Sequence, residues 1–253
     1  MFLANDNLEI RNKIKAEPHL RLAYCPICDG EVIPRCGQIM KHHWAHKTLI
    51  DCDHWSEGET NWHLGWKERI AATDKNRIEV RMGNHRADVV AKDGTVIELQ
   101  HSPIDLQTLM ERQLFYQKVL WVLDCCYYRT SGPTSWNFND DYPHLEFDSG
   151  RTPSYVKFYW RYPKRTFDYY TTANFQKSFI PVLLDIGYQS DDEEDGWLFI
   201  IRNIGTKDQW RGWGVLMSYS DFIKRVNQAS NLFLALKTYN PAVYSNNKVK
   251  AVS

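Results

Sequence analysis

The alternation of polar and apolar residues between residues 77 and 100 predicts three short strands. Residues 77–82 alternate strictly, and residues 86–91 and 95–100 are short, mostly apolar runs that each carry one acid. Residues 92–94, Lys-Asp-Gly, separate the last two runs, and an Asp-Gly pair in this setting is a strong signal for a hairpin turn. We therefore expect the second and third strands to pair antiparallel.

Helical periodicity on both sides of these strands predicts two helices. Residues 57–70 place an apolar stripe and a polar stripe at steps of four. The apolar stripe consists of Trp62, Trp66 and Ile70, and the polar stripe of Glu59, His63 and Lys67. Ser102 and Pro103 suit the cap and first position of a second helix, and residues 119–124 have the composition of a buried strand. The order helix, three-stranded meander, helix, strand predicts an α+β core.

The predicted hairpin brings two carboxylates together. Asp88 and Glu98 belong to the paired runs, so antiparallel pairing places both side chains beside one small volume. Two carboxylates this close repel each other unless a proton or a cation lies between them, and carboxylate oxygens suit Mg2+ or Mn2+. The hairpin therefore predicts a metal site. The alternative is a solvated hairpin whose acids face water.

A second group of metal-binding residue types precedes the predicted core. Cys25-x-x-Cys28 is followed by His43-x-x-His46 and by Cys52, and thiolate and imidazole ligands together favour Zn2+. We predict a structural zinc site formed by four of these five residues, including both cysteines of the knuckle. It would staple a segment too small to hold a core of its own. The alternative is a set of reduced cysteines packed without metal.

Taken together, these motifs resemble the competence protein CoiA-like branch of the PD-(D/E)XK nuclease superfamily. The resemblance rests on four pieces that follow the family's order over roughly the first half of the chain. They are Cys25-Pro-Ile-Cys28, His43-Trp-Ala-His46, Glu59-x-x-x-His63-x-x-x-Lys67, and Arg86-Ala-Asp88 with Ile97-Glu-Leu-Gln-His-Ser102. The resemblance implies a PD-(D/E)XK nuclease-like core with an N-terminal zinc-knuckle segment, and hydrolysis of phosphodiester bonds in nucleic acid.

The resemblance also implies roles for individual residues. Asp88, Glu98 and the carbonyl group of Leu99 would coordinate one or two Mg2+ or Mn2+ ions, which polarise the phosphate and activate a water molecule. Glu59 would reach the same metals from the first helix, and Lys67 would offset the negative charge that builds on the phosphate. The expected activity is that of a divalent-metal-dependent nuclease.

Gln100 departs from the superfamily pattern, which has a lysine at that position. Glutamine carries no positive charge, although it is an accepted variant in the branch that this chain resembles, and it would orient the attacking water. Lys67 or His63, projecting from the first helix, would supply the missing cation or base. The alternative is a catalytically weak or inactive module, stapled by zinc, that binds nucleic acid or acts as a protein adaptor.

The second half of the chain predicts a separate mixed α/β region. Residues 129–155 are rich in turn formers and indicate a long connection. Strand composition then recurs at residues 155–162, 181–186, 197–202 and 213–217. Ser220 suits the cap of a final amphipathic helix, from residue 221 to about residue 236.

Five side chains are candidates for contacts with nucleic acid: Arg86, Arg112, Tyr116, Lys157 and Arg161. Arg112 and Tyr116 lie one turn apart on the predicted second helix, where the alternatives are a surface ion pair and a core aromatic. Lys157 and Arg161 interleave with aromatic residues, a pattern that suits a single strand of nucleic acid. Rings buried in a sheet, or a surface for a partner protein, explain that pattern equally well.

Composition limits these expectations. The formal net charge of the 253 residues is zero, so any face for nucleic acid must be local. As the nucleic acid we expect DNA more than RNA. The sequence has no secretory leader and no apolar run long enough for a bilayer, so we expect a cytoplasmic protein with reduced cysteines. The expected domains are residues 1–55, 56–128 and 129–253. The expected setting is competence, recombination or phage–host conflict, and the oligomeric state is left open.

Overall fold

The computed structural model divides the chain into two compact units, Met1–His101 and Ser102–Ser253. The residues that it describes are 1–48, 52–53, 55, 59–101, 104, 106–124, 144–147, 156–160, 182–187, 195–204 and 210–239. Each unit combines strands with helices, which confirms the predicted mixture of α and β structure. The division after His101 lies inside the segment 56–128 that we predicted as one nuclease-like core.

The first unit opens with a five-stranded antiparallel sheet. Its strands are β1 (Leu3–Asn5), β2 (Lys13–Lys15), β3 (Ala23–Tyr24), β4 (Glu31–Arg35) and β5 (His43–His46), in the order β2-β1-β3-β4-β5. A small buried core packs with this sheet, formed by Met1, Ala4, Ala16, Ala23, Cys25, Ile27, Val32 and Trp44. The expectation that this segment holds no core was wrong, because short strands joined into one sheet bury a set of apolar residues that no single strand could bury alone.

Helix α1 (Asn61–Asp74) begins four residues later than predicted because Thr60 caps it. The hydroxyl oxygen of Thr60 accepts from the amide of His63 at 3.4 Å, and the Thr60 amide donates to Nδ1 of His63 at 3.3 Å. This capping box uses a histidine where glutamate or glutamine is usual. Glu59 therefore lies just before the helix, which corrects the prediction that it lies on it. Apolar periodicity alone does not locate a helix start that a side chain fixes.

The predicted three-stranded meander is present, with each strand within one residue of its expected bounds. Strands β6 (Ile78–Met82), β7 (His85–Val90) and β8 (Val96–Gln100) follow one another and pair antiparallel. A 3-10 turn, Lys75–Arg77, connects helix α1 to β6. The meander thus carries the candidate acids on neighbouring strands of one sheet.

The turn between β7 and β8 sets the register of the candidate acids. The amide of Gly94 donates to the carbonyl oxygen of Ala91 at 3.0 Å, and Gly94 has a φ angle of +81°. Val90 pairs with Val96 in this register. Continuing the same register places Asp88 opposite Glu98, so both side chains leave the same face of the sheet, as predicted.

Among the described residues of the second unit, helix α2 (Leu106–Tyr116) is followed by six strands. The strands are β9 (Val119–Asp124), β10 (His144–Phe147), β11 (Val156–Trp160), β12 (Val182–Gly187), β13 (Trp197–Ile204) and β14 (Trp210–Ser218). They lie in the order β10-β11-β14-β13-β12-β9, with only β12 and β9 parallel among these described strands. Strand β10 falls inside the predicted connection 129–155, where the density of turn formers hid it.

Two helix predictions in the second unit need correction. Helix α2 begins at Leu106, and Ile104, which we expected in its first turn, is a buried non-helical residue. The predicted final helix is two helices, α3 (Tyr219–Gln228) and α4 (Leu232–Lys237).

The break between α3 and α4 has a local cause. The hydroxyl group of Ser218, and not that of Ser220, caps α3 by accepting from the amide of Asp221 at 3.2 Å. Asn231 caps α4 in the same way at 2.9 Å, so a second helix start interrupts the amphipathic pattern.

Among the helices of the described residues, none is long and apolar enough to cross a membrane.

Substitution of Gly94 by alanine should destabilise the first unit by about 1 kcal/mol, because a side chain disfavours its left-handed backbone. A Cβ atom at Gly94 would meet nothing within 4 Å, so the cost is conformational. Gly37→Ala is the matched control, since Gly37 is equally open and its φ lies outside the left-handed region. Urea denaturation should show a lower free energy of unfolding for G94A alone. Equal losses in both variants would contradict the assigned turn.

Candidate active site and metal centre

The ammonium group of Lys67 lies among three carboxylates in the first unit. Its Nζ atom is 2.6 Å from Oε1 of Glu59, 2.8 Å from Oδ1 of Asp88 and 3.4 Å from Oε1 of Glu79. The Lys67 side chain is 0% exposed, and that of Asp88 is 18% exposed. Helix α1 thus delivers a cation to strands β6 and β7. With Arg86, these residues form what we call the buried charge cluster.

Mutual attraction keeps Lys67, Glu59 and Asp88 ionised. Burial acts to lower the pKa of Lys67, but the charges of Asp88 and Glu59 raise it above its ordinary value. Burial acts to raise the pKa of Glu59 and of Asp88, but the Lys67 charge holds both below their ordinary values. Opposite charges at such distances in a poorly solvated site outweigh the cost of desolvation.

Glu79 completes the cluster and was missed by the sequence analysis. Its carboxylate is 0% exposed and accepts from the amides of Phe2 at 2.7 Å and Leu3 at 2.6 Å, which ties strand β1 to the meander. Its φ angle of +50° is unusual for a residue with a side chain. The acid occupies a polar position of a strictly alternating strand, which gave no signal that it is buried.

Arg86, predicted to contact nucleic acid, takes part in the same cluster. Its guanidinium nitrogens lie 3.6 Å from Glu59 and 3.8 Å from Glu79, and 11% of the side chain is exposed. Burial acts to lower its pKa, but the charges of Glu79 and Glu59 raise it above its ordinary value. The structure therefore uses Arg86 to balance buried acids, and its contact with nucleic acid stays a prediction.

The hairpin acids and the glutamine that follows them lie in a protected position. Glu98 is 3% exposed and Gln100 is 2% exposed. Oδ2 of Asp88 accepts from the amide of Leu99 at 3.1 Å, which locks the Asp88 carboxylate to strand β8. Asp88 and Glu98 are not part of any group of three or more metal-ligating side chains among the described residues. The structure places a lysine, and not a third acid, beside Asp88.

His63 joins helix α1 to strand β8 through both of its ring nitrogens. Nε2 donates to the carbonyl oxygen of Leu99 at 3.0 Å, and Nδ1 accepts from Thr60. Burial lowers the pKa of His63, with Asp88 acting in the opposite direction, so the ring favours the neutral form that these bonds require. With both nitrogens engaged, His63 is better placed to fix the Leu99 carbonyl than to act as a base.

Four of the five predicted zinc ligands converge beside the N-terminal sheet. The ligand atoms of Cys25, Cys28, His46 and Cys52 all lie within 4.8 Å of one another. The Sγ atoms of Cys25 and Cys52 are 3.9 Å apart, and Sγ of Cys28 is 3.3 Å from Nε2 of His46. We call this group the Cys3His cluster. His43 lies outside it, with Nδ1 placed 3.0 Å from the carbonyl oxygen of Lys41.

The Cys3His cluster has the chemistry of a structural zinc site. Burial raises the pKa of the Cys25 thiol, and burial together with the charges of Cys25 and Cys28 raises that of Cys52 to about 12. Three thiolates so close repel one another unless a cation neutralises them. Three sulfur ligands and one imidazole are a donor set that fits Zn2+ and leaves no open position for a substrate.

The remaining nucleic-acid candidates lie in the second unit. Arg112 is 6% exposed and Tyr116 is 7% exposed, so most of both side chains is enclosed by protein. Lys157 lies on strand β11, opposite Trp213 of β14, but its side chain is outside the described residues, as is all of Arg161. All four contacts with nucleic acid stay predictions.

Comparison with known proteins supports one part of the resemblance. Residues 11–54 match the family model for the competence protein CoiA, N-terminal domain. This segment contains all four members of the Cys3His cluster and ends before helix α1. It confirms the resemblance to the CoiA-like family and implies a competence-related role. Neither the curated proteins nor the solved structures include a match to the chain.

Replacing Lys67 by methionine should destabilise the protein by about 3 kcal/mol or more, because it removes the ammonium group 2.8 Å from Asp88 and leaves the buried acids with more negative charge than the remaining cations balance. Lys41→Met is the matched control: Lys41 is 43% exposed and its ammonium group pairs with Glu68 on the surface of α1 at 2.7 Å. Loss of such a surface pair costs about 1 kcal/mol or less. Denaturant unfolding measures both values, and similar losses would contradict a structural role for the buried cluster.

The free energies of unfolding of the wild type and of K67M should also change in opposite directions as the pH falls. In the wild type, Glu59 and Asp88 have lowered pKa values, so their stabilisation is present above the ordinary values of 4.5 and 3.8 and is lost as the pH falls below them. In K67M burial should instead raise the folded-state pKa of Asp88, whereas Glu59 keeps Arg86 at 3.6 Å. The free energy of unfolding of K67M should then increase as the pH falls from neutral towards 5, a change that unfolding curves at several pH values would detect.

Proposed function

We propose that this chain, with its CoiA-type N-terminal domain, is a divalent-metal-dependent nuclease that hydrolyses phosphodiester bonds, with DNA as the expected substrate. The observation that carries the proposal is the position of Lys67, whose Nζ atom lies 2.8 Å from Asp88. A lysine beside the first acid of the hairpin restores the positive charge that Gln100 cannot supply. It reaches that place from helix α1 instead of from strand β8.

The donor chemistry of the hairpin is compatible with a catalytic cation. Asp88 and Glu98 would hold Mg2+ or Mn2+, together with the Leu99 carbonyl that His63 fixes at 3.0 Å. A carboxylate or carbonyl oxygen accepts more than one contact, so its present hydrogen bonds do not exhaust it. When bound, the cation would polarise the phosphate and lower the pKa of a water molecule.

The protein's own residues would act around that cation. Gln100 would orient the attacking water through its amide group, which both donates and accepts hydrogen bonds. Lys67 would shift part of its attraction from Asp88 and Glu59 to the negative charge that develops on the phosphate. Glu59 and Glu79 hold Lys67 in place, so the ammonium group needs little reorganisation.

A specific observation favours a second candidate, a nucleic-acid-binding or protein-adaptor module that does not cut. Lys67 already neutralises Asp88 and Glu59, and the described residues place no third metal-ligating side chain with Asp88 and Glu98. A site balanced internally in this way is stable without a divalent cation. Under this proposal the buried charge cluster is structural.

The Cys3His cluster supports a further component of the proposal, a structural Zn2+ site. Binding would deprotonate the three cysteines. Without the ion, burial and the neighbouring thiols raise the thiol pKa values of Cys25 and Cys52. The ion would hold together the β3–β4 turn, strand β5 and the segment that carries Cys52.

Asp88→Asn should reduce cleavage of single- or double-stranded DNA in Mg2+ or Mn2+ by at least about a hundredfold. Asparagine keeps an oxygen for the Leu99 amide but loses the charge that a divalent cation needs. Glu98→Gln should act in the same direction. The matched control is Glu68→Gln, an acid of helix α1 whose side chain is 48% exposed and which pairs with surface lysines.

Gel analysis of labelled DNA distinguishes the two candidate functions. Cleavage by the wild type and E68Q, but not by D88N, supports the nuclease. Cleavage that survives D88N overturns the assigned site. DNA binding by the wild type without cleavage in either metal supports the binding module instead.

Metal analysis after a wash with a weak chelator should find one equivalent of zinc in the wild type. Cys28→Ser and His46→Ala should each lower the retained zinc, since each removes a ligand. His43→Ala is the matched control, because His43 lies on the same strand as His46 but outside the cluster. A wild type without zinc, or equal losses in H43A and H46A, would reject this ligand set.

A further inference from the structure

Asp53, the residue after the zinc ligand Cys52, contacts the first residues of strand β7. Its Oδ1 atom accepts from Nδ1 of His85 at 2.9 Å, and its Oδ2 atom accepts from the amide of Arg86 at 2.9 Å. The amide of Trp55 also donates to Oδ1, at 3.1 Å. Asp53 is 7% exposed, so these bonds are shielded from water. Both carboxylate oxygens are thus committed to holding one strand end.

A ring contact reinforces this attachment. The indole ring of Trp55 stacks on the imidazole ring of His85, with centroids 3.4 Å apart and planes 11° from parallel. His85 is the first residue of β7 and is 9% exposed. Two side chains that follow Cys52, those of Asp53 and Trp55, therefore hold the start of β7.

Strand β7 leads from its contacts with Asp53 and Trp55 directly to the buried charge cluster. Arg86, whose amide Asp53 binds, points its guanidinium group towards Glu59 and Glu79, and Asp88 follows two residues later. Asp53 thus connects Cys52 of the Cys3His cluster, its neighbour in the chain, to the strand that carries Arg86 and Asp88 of the buried charge cluster.

We propose that Asp53 is a positioning residue that couples metal occupancy of the Cys3His cluster to the placement of Arg86 and Asp88 on strand β7. A bound ion fixes Cys52, and Cys52 fixes Asp53 through a single peptide bond. Loss of the ion would release Cys52, and Asp53 would then hold the start of β7 less firmly. The coupling itself is structural, and its consequence for cleavage rests on the proposed nuclease function.

Thermodynamic reciprocity makes the coupling measurable in both directions. If metal binding strengthens the hold of Asp53 on β7, that hold must strengthen metal binding by the same factor. Asp53→Asn should therefore weaken zinc binding by about tenfold, as substitutions of residues behind a metal ligand do, although Asp53 is no ligand. Asp29→Asn is the matched control: Asp29 follows Cys28 as Asp53 follows Cys52, but it pairs with Arg11 at the surface.

The experiment combines zinc competition against a chromogenic chelator with amide hydrogen exchange of the peptide that contains β7. In the wild type, removal of zinc should accelerate exchange at Arg86. In D53N, exchange should already be fast and respond less to zinc, and zinc affinity should fall, while D29N should match the wild type. If amide exchange in β7 of the wild type does not change when zinc is removed, the coupling is overturned, and no variant is needed to show it.

These readouts use no nucleic acid, so they separate the coupling from the proposed nuclease. Equal zinc affinities of D53N and D29N would overturn the coupling even if DNA is cleaved. Normal coupling in a protein that never cleaves DNA would overturn the nuclease alone. A wild type that binds no zinc would overturn both the coupling and the zinc site.

Discussion

The burial of one ammonium group governs the construction of the first unit. A lysine that is 0% exposed is tolerated only where its charge is matched, because desolvation of an unpaired ion costs several kcal/mol. The match requires Glu59 from the segment before α1, Glu79 from β6 and Asp88 from β7, so these three elements must converge on Lys67. Removal of any one acid would leave the buried cations with less negative charge to balance them, and the arrangement is therefore maintained as a whole.

The same constraint extends to the N-terminal sheet. Glu79 satisfies its remaining lone pairs with the amides of Phe2 and Leu3, so strand β1 is held by an acid of the meander. The positive φ of Glu79 costs free energy, and such a backbone persists only where the surroundings fix it. Here two amides and the cations of the cluster provide that fixation. We infer that Glu79 links the five-stranded sheet to the meander within this unit.

Local signals predicted the meander well and the site only in part. An Asp-Gly turn determines hairpin register, so the opposition of Asp88 and Glu98 follows from a few neighbouring residues. The start of α1 depended on a side-chain cap at Thr60, and the burial of Glu79 depended on residues more than 70 positions away. His43 and His46 lie three residues apart on strand β5, so their side chains leave opposite faces of the sheet. Only a partner surface, here the cysteines, decides that His46 joins the Cys3His cluster. Sequence spacing describes which residues are available, whereas their environment is set by contacts distant in the chain.

Charge compensation also limits how the protein can attract a polyanion. Lys67 and Arg86 are committed to buried acids, so their charges add little to the field at the surface. The formal net charge of the whole chain is zero as well. Under the proposed function, phosphate recognition would come from cations outside the cluster, and the cluster would contribute only at short range, where a phosphate would compete with Asp88 for Lys67. Affinity for nucleic acid and chemistry on it would accordingly reside in different residues, and a substitution that removes one need not remove the other.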